Sequence, residues 1–216
     1  MKKIELFTDS SVNPQSKIGF AAFLVKNDKD IILEKLNKSI KIKKFENTSS
    51  TRLELQALLW AISDIEKEKS DLSNILIEVY TDCQNIVNLK TRKTKLIENN
   101  YHSGSGKLIK NHDLYKDFFK IESRLNLNII KVKGHKKTIL KDNIDNIFNL
   151  VDKASRSALR DVNLKIKILY FKILFKFRFI LFPSSKLSIF IPILFLSQNS
   201  FTTASPIPYP IFCEFS

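Results

Sequence analysis

Ile4-Glu5-Leu6-Phe7-Thr8-Asp9-Ser10-Ser11 is a short run that alternates as a strand and closes on a carboxylate. Alternation over residues 3–8 is the period-two pattern of a β-strand, whose side chains point to opposite faces in turn. Three other carboxylates have comparable settings. Asp82 follows the apolar run Ile75–Tyr80 in Val79-Tyr80-Thr81-Asp82-Cys83-Gln84. Glu54 lies in Thr51-Arg52-Leu53-Glu54-Leu55 and Asp152 in Asn149-Leu150-Val151-Asp152-Lys153-Ala154, each near the start of a helix-like run. Singly, each has a plain role open to it: an N-cap for Asp82, a turn for Asp9, a solvated helix face for Glu54 and Asp152. If the four ends converge, they form a knot of like charge that bound cations would stabilise. Hard oxygen ligands suit Mg²⁺, which keeps several waters and engages substrate phosphates.

Working outward, residues 18–26 and 30–40 read as second and third strands, with turns at Asn13-Pro14 and Asn27-Asp28. Short links between three strands predict an antiparallel meander. A helix follows at about 51–67, with Leu55, Leu58, Leu59 and Ile62 on one face. Ile75–Tyr80 reads as a fourth strand, with a short helix opening after Asp82. Residues 90–110 read as basic and irregular, 113–125 as a helix, 128–132 as a fifth strand and 148–160 as a last helix. The fold class is α/β.

The 216 residues carry 36 basic and 22 acidic side chains, a net charge of +14. Such a surface favours polyanions, nucleic acid before an anionic membrane face. Two cysteines, Cys83 and Cys213, exclude a disulfide framework and fit a reducing compartment. The first residues lack the apolar run of a secretory signal, so the expected location is cytoplasmic. Composition changes near residue 162: no acidic residue lies between Asp161 and Glu214, and ten of the 17 phenylalanines fall in this stretch. The expected division is a folded domain over 1–161 and a basic, Phe/Ile-rich extension over 162–216 outside it. Membrane contact through that extension is the lesser expectation, and no obligate protein partner is expected.

In this order the segments resemble type 1 ribonuclease H. Ile4–Ser11 resembles the family's first strand with its Thr-Asp-Gly-Ser signature, and Thr51–Leu58 its Arg-x-Glu-Leu helix. Tyr80-Thr81-Asp82-Cys83-Gln84 resembles its Tyr-Thr-Asp-Ser-Gln segment. Val132-Lys133-Gly134-His135 is similar to its Val-Lys-Gly-His loop, and Asp152-Lys153-Ala154 to its closing Asp-x-Ala. The resemblance covers about residues 3–160. It implies a ribonuclease H-like fold: a five-stranded mixed sheet, three strands antiparallel and then two parallel, flanked by helices. It implies an endoribonuclease that cuts the RNA strand of RNA–DNA hybrids with two Mg²⁺ ions, for which Mn²⁺ can substitute, leaving 3′-hydroxyl and 5′-phosphate ends.

By the same resemblance, Asp9 and Asp82 would hold the ion beside the attacking water. Asp9, Glu54 and Asp152 would hold the one beside the leaving oxygen, and His135 would assist proton transfer or product release. Ser10, Asn13, Ser50, Thr51 and Gln84 are expected to read the hybrid's minor groove. Lys90, Arg92, Lys93, Lys95, Lys107 and Lys110 resemble the basic handle of the bacterial enzymes and would grip phosphates without reading sequence. Two departures stand out: Ser10 replaces the usual glycine, and Cys83 stands where serine is usual, read as a small packer and not a nucleophile. The alternative reading is a hybrid-binding module that keeps the fold without cutting.

Overall fold

The computed structural model describes residues 2–26, 33–69, 71–133 and 142–181; for 33–35, 166 and 174–181 it describes the backbone alone. The elements are β1 (Lys2–Asn13), β2 (Ile18–Lys26), α1 (Leu33–Lys38), β3 (Lys41–Phe45), α2 (Ser50–Glu68), β4 (Ile75–Thr81), α3 (Gln84–Val87), α4 (Leu89–Glu98), α5 (His112–Glu122), β5 (Asn126–Lys131) and α6 (Asn143–Leu181). The chain divides into two units, residues 1–171 and 172–216. The first holds the whole sheet.

That sheet has five strands in the order β3-β2-β1-β4-β5. β1–β2 and β2–β3 pair antiparallel, while β1–β4 and β4–β5 pair parallel, which is the mixed sheet expected. Apolar alternation sorts the side chains to two faces. Ile4, Leu6, Ile77 and Val79 pack with Leu55, Leu58 and Ile62 of α2 and Phe118 of α5. Phe7, Leu24 and Tyr80 face the other way, against Ile147, Phe148 and Val151 of α6. Burying each such side chain contributes about 2 kcal/mol before entropy is counted.

Three expectations need correction. Where the third strand is expected, residues 33–38 form the short helix α1, and β3 begins at Lys41. Leu36 explains the displacement, because it is buried in the α6-side core and anchors a helical turn there. The turn expected at Asn27-Asp28 lies outside the described residues. Second, the basic stretch after residue 90 is not irregular throughout: Leu89–Glu98 is helical, fastened by buried Leu89 and Leu96 at i, i+7. The last helix is also longer than 148–160 and continues through the composition change at residue 162 to Leu181.

Candidate active site

The site lies where the parallel pairing of β1 and β4 ends. β1 and β4 are neighbours at the centre of the sheet, and their pairing runs as far as Phe7 and Tyr80. Two residues on, Asp9 and Asp82 come level. Side-chain parity then decides which helix each neighbour meets. Ser10 shares the α2 face with Leu6, and its hydroxyl donates to Glu54 Oε1 at 2.8 Å. Asp9 shares the α6 face with Phe7, and its Oδ2 accepts from Ser155 Oγ at 2.6 Å. Ser155 in turn lies 3.2 Å from Ser11 Oγ. Gly19 on β2 lets α2 come this close: a Cβ there would stand 2.3 Å from Leu53 Cδ2 and 3.0 Å from the Ser11 carbonyl.

Carboxylate oxygens of Asp9, Glu54 and Asp82 lie within 4.8 Å of one another. Asp9 is 5% exposed and Glu54 8% exposed, while Asp82 is open to solvent. Glu54 is the one charged side chain in the buried stripe of α2. Burial is the chief cause that lifts Asp9 from its ordinary 3.8 to about 7. The Ser155 hydrogen bond and Arg156 oppose that rise, whereas Asp152 and Asp82 add to it. Glu54 is held well above the carboxylate range, by burial first and by Asp9 and Asp82 after it, against the Ser10 hydrogen bond. Glu54 Oε2 is buried with no hydrogen-bond partner among the described residues. Burying an anionic oxygen this way costs several kcal/mol unless a cation meets it. An all-oxygen, anionic donor set with one orphaned oxygen fits a hard divalent cation.

Asp152 is not in that group of three. It is half-buried on α6, with Oδ1 2.6 Å from Arg156 Nε, one helical turn on. It is still near enough to push up Asp9. Ser155 and Arg156 were not anticipated from the sequence, where the motif around Asp152 stops at Ala154. Their i+3 and i+4 spacing from Asp152 is the signal that would have found them.

The remaining anticipated residues divide. His135 lies outside the described residues. Asn13 Oδ1 accepts the N–H groups of Gln15 and Ser16, closing the β1–β2 turn. Ser50 and Thr51 open α2, so the helix itself leaves their N–H groups unpaired. Gln84 opens α3, donates to Asn88 and accepts from Lys131 Nζ. Of the basic residues, Lys90, Lys95, Lys107 and Lys110 are exposed and Arg92 is half-buried. Lys90 also donates to the Leu127 carbonyl at 2.7 Å. Lys93 pairs with Glu122 at 2.6 Å and lies over the Phe119 ring. Those two fasten α4 to α5 and β5. Arg52 forks onto Asp113 at 3.0 and 2.6 Å, joining α2 to the start of α5. Cys83 is half-buried against the core, and burial pushes its thiol up, as suits a packer.

Known proteins share this sequence pattern and this fold. A family model described as RNase H matches residues 1–159. Ribonuclease H of Caldicellulosiruptor saccharolyticus is 26% identical over 166 residues, 75% of this chain and 99% of the relative. Ribonuclease H of Haemophilus influenzae is 31% identical over 140 residues, 62% of this chain and 79% of the relative. Among solved structures, the foamy-virus (PFV) RNase H domain matches with a TM-score of 0.54 at 15% identity, covering 72% of this chain and 92% of that one. LC9-RNase H1, a type 1 RNase H with the type 2 active-site motif, matches with a TM-score of 0.51 at 18% identity, covering 68% and 69%. At those identities the structures speak for the fold; the family model, spanning most of the chain, speaks for descent. The chain belongs to the ribonuclease H family.

Proposed function

We propose that this ribonuclease H cuts the RNA strand of RNA–DNA hybrids at the carboxylates of Asp9, Glu54, Asp82 and Asp152, leaving 3′-hydroxyl and 5′-phosphate ends. The observation that carries the reading is Glu54: a buried carboxylate with an orphaned oxygen, beside Asp9 on β1 and Asp82 just past the end of β4. The four carboxylates would hold two divalent cations, Mg²⁺ or Mn²⁺ in its place. When bound, such ions neutralise phosphate oxygens, activate a water and stabilise the leaving oxygen.

The chain's own groups do the rest. Ser10 and Ser155 fix one oxygen each of Glu54 and Asp9, so the other oxygen keeps a defined direction. Asn13, Ser50, Thr51 and Gln84 line the approach, where N–H and hydroxyl groups can meet 2′-hydroxyls on one strand and bare sugar on the other. Lys95, Lys107 and Lys110 offer exposed charge to phosphates, with Arg92 beside them. His135 is assigned to proton transfer or product release. We place the activity in residues 1–161, with 162–216 dispensable for it, and place its work in the cytoplasm.

The test is cleavage of an end-labelled RNA–DNA hybrid by the full chain, with Mg²⁺ and then with chelator. Metal-dependent RNA cuts that vanish in Asp82→Asn support the reading. Equal binding by wild type and Asp9→Asn, with no cutting by either, would establish the binding module instead.

A further inference from the structure

The geometry points to Arg156 as a positioning residue that occupies Asp152 and makes the two cation steps unequal. This inference rests on the function proposed above. Its basis is an asymmetry among the four carboxylates. Three share one small volume, two of them buried and one of those with an orphaned oxygen. The fourth, Asp152, already has a cation: the Arg156 guanidinium, 2.6 Å away on the same helix face. The same guanidinium is felt at Asp9, where it opposes the other charges. Arg156 thus stands where positive charge is needed.

The consequences for binding differ between steps. The first cation meets Asp9, Glu54 and Asp82, whose mutual repulsion it relieves, and Asp152 is not required. A cation that needs Asp152 must first displace Arg156 and then sit near its charge. The pair itself is half-exposed, so breaking it is cheap. Repulsion between the guanidinium and a divalent ion is the larger effect, about tenfold in affinity for the two charges about 6 Å apart under the water-like screening of a half-exposed side chain. Arg156 therefore lowers occupancy of the Asp152-dependent position without blocking it. Its side chain is about half exposed and able to swing outward along α6.

The test uses the full chain without nucleic acid, titrated with Mn²⁺ while free ion is counted by electron paramagnetic resonance. Wild type is expected to bind one ion tightly and a second more weakly. Arg156→Gln and Arg156→Ala should tighten the second step about tenfold and leave the first within about twofold. Arg156→Lys should keep the wild-type pattern. Asp152→Asn should abolish the second step whether or not Arg156 is present. Circular dichroism melts would verify that each variant is folded. Two equal steps in wild type, a single step in every variant, or an Arg156→Gln shift shared by both steps would overturn the inference. Should the Mn²⁺ steps behave as expected while no hybrid is cut, the function proposed above fails and this assignment stands.

Discussion

In the metal-free protein, Asp9→Asn should make the fold more stable at alkaline pH while destroying activity. Burial and two neighbouring aspartates raise Asp9 from 3.8 to about 7. Between those values the folded protein holds a proton that the unfolded chain has released, so stability falls as pH rises through that window. Below the unfolded value both states are protonated and the contribution is complete; above about 7 it is gone and the slope flattens. A tenfold change in proton affinity is worth about 1.4 kcal/mol. A rise from 3.8 to about 7 therefore sets a ceiling near 4 kcal/mol. Relaxation around a site open to solvent at Asp82 brings the expected figure to about 2–4 kcal/mol. Asparagine keeps an oxygen for the Ser155 hydroxyl and carries no charge, so the variant loses the slope and not the hydrogen bond. The assay is urea unfolding of both proteins in chelator at pH 5, 7 and 8.5. The variant should gain on wild type progressively from pH 5 to 7 and hold its advantage above that. Mg²⁺ at about a thousand times Kd should reverse the order, because binding at that level adds about 4.1 kcal/mol to wild type. An Asp9→Asn protein less stable than wild type at pH 8.5 in chelator would refute the reasoning, since it would make Asp9 a structural residue.

Other substitutions separate the roles assigned above. Ser10→Gly should cost about 1–2 kcal/mol in urea unfolding, from the lost hydrogen bond to Glu54 and the added freedom of the unfolded strand. Lys95→Glu should weaken hybrid binding and flatten its log–log salt dependence by about one, measured by fluorescence anisotropy. Lys93→Glu should act mainly on stability, by about 1 kcal/mol, because its partner is Glu122. Arg52→Ala should likewise cost about 1 kcal/mol in thermal melts, its fork onto Asp113 being partly exposed, and leave Mn²⁺ binding unaltered.

Much of the site was legible because its residues sit where short-range pattern is strongest. Asp82 follows the period-two run of β4 and Glu54 interrupts an otherwise apolar helix stripe, so their positions follow from periodicity; Asp9 keeps the parity of Phe7 but sits inside a strand that runs on to Asn13. β3 was misplaced for a physical reason. It is an edge strand, mostly exposed, written Lys41-Ile42-Lys43-Lys44-Phe45, and its lysines guard the edge instead of filling a core. The preceding Leu36 carries the burial signal, and it belongs to a helix. α4 was hidden by its lysines and threonines, since two buried leucines seven residues apart are a thin stripe. Ser155 and Arg156 share the helix face of Asp152 at i+3 and i+4, but that spacing does not name Asp9: the Ser155 bond spans 146 residues and exists only once α6 packs against β1. The structural tie of Lys90 was equally hidden: Lys90 and Lys95 look alike in sequence, and only packing brings Lys90 to the Leu127 carbonyl.

The most direct measurement of the central claim is diffraction from crystals of the full chain soaked in Mn²⁺, with data collected at the manganese edge. An anomalous peak among the carboxylates of Asp9, Glu54 and Asp82, absent from Asp82→Asn crystals, is the predicted result. Bound Mn²⁺ elsewhere, with these three side chains unligated, would contradict it.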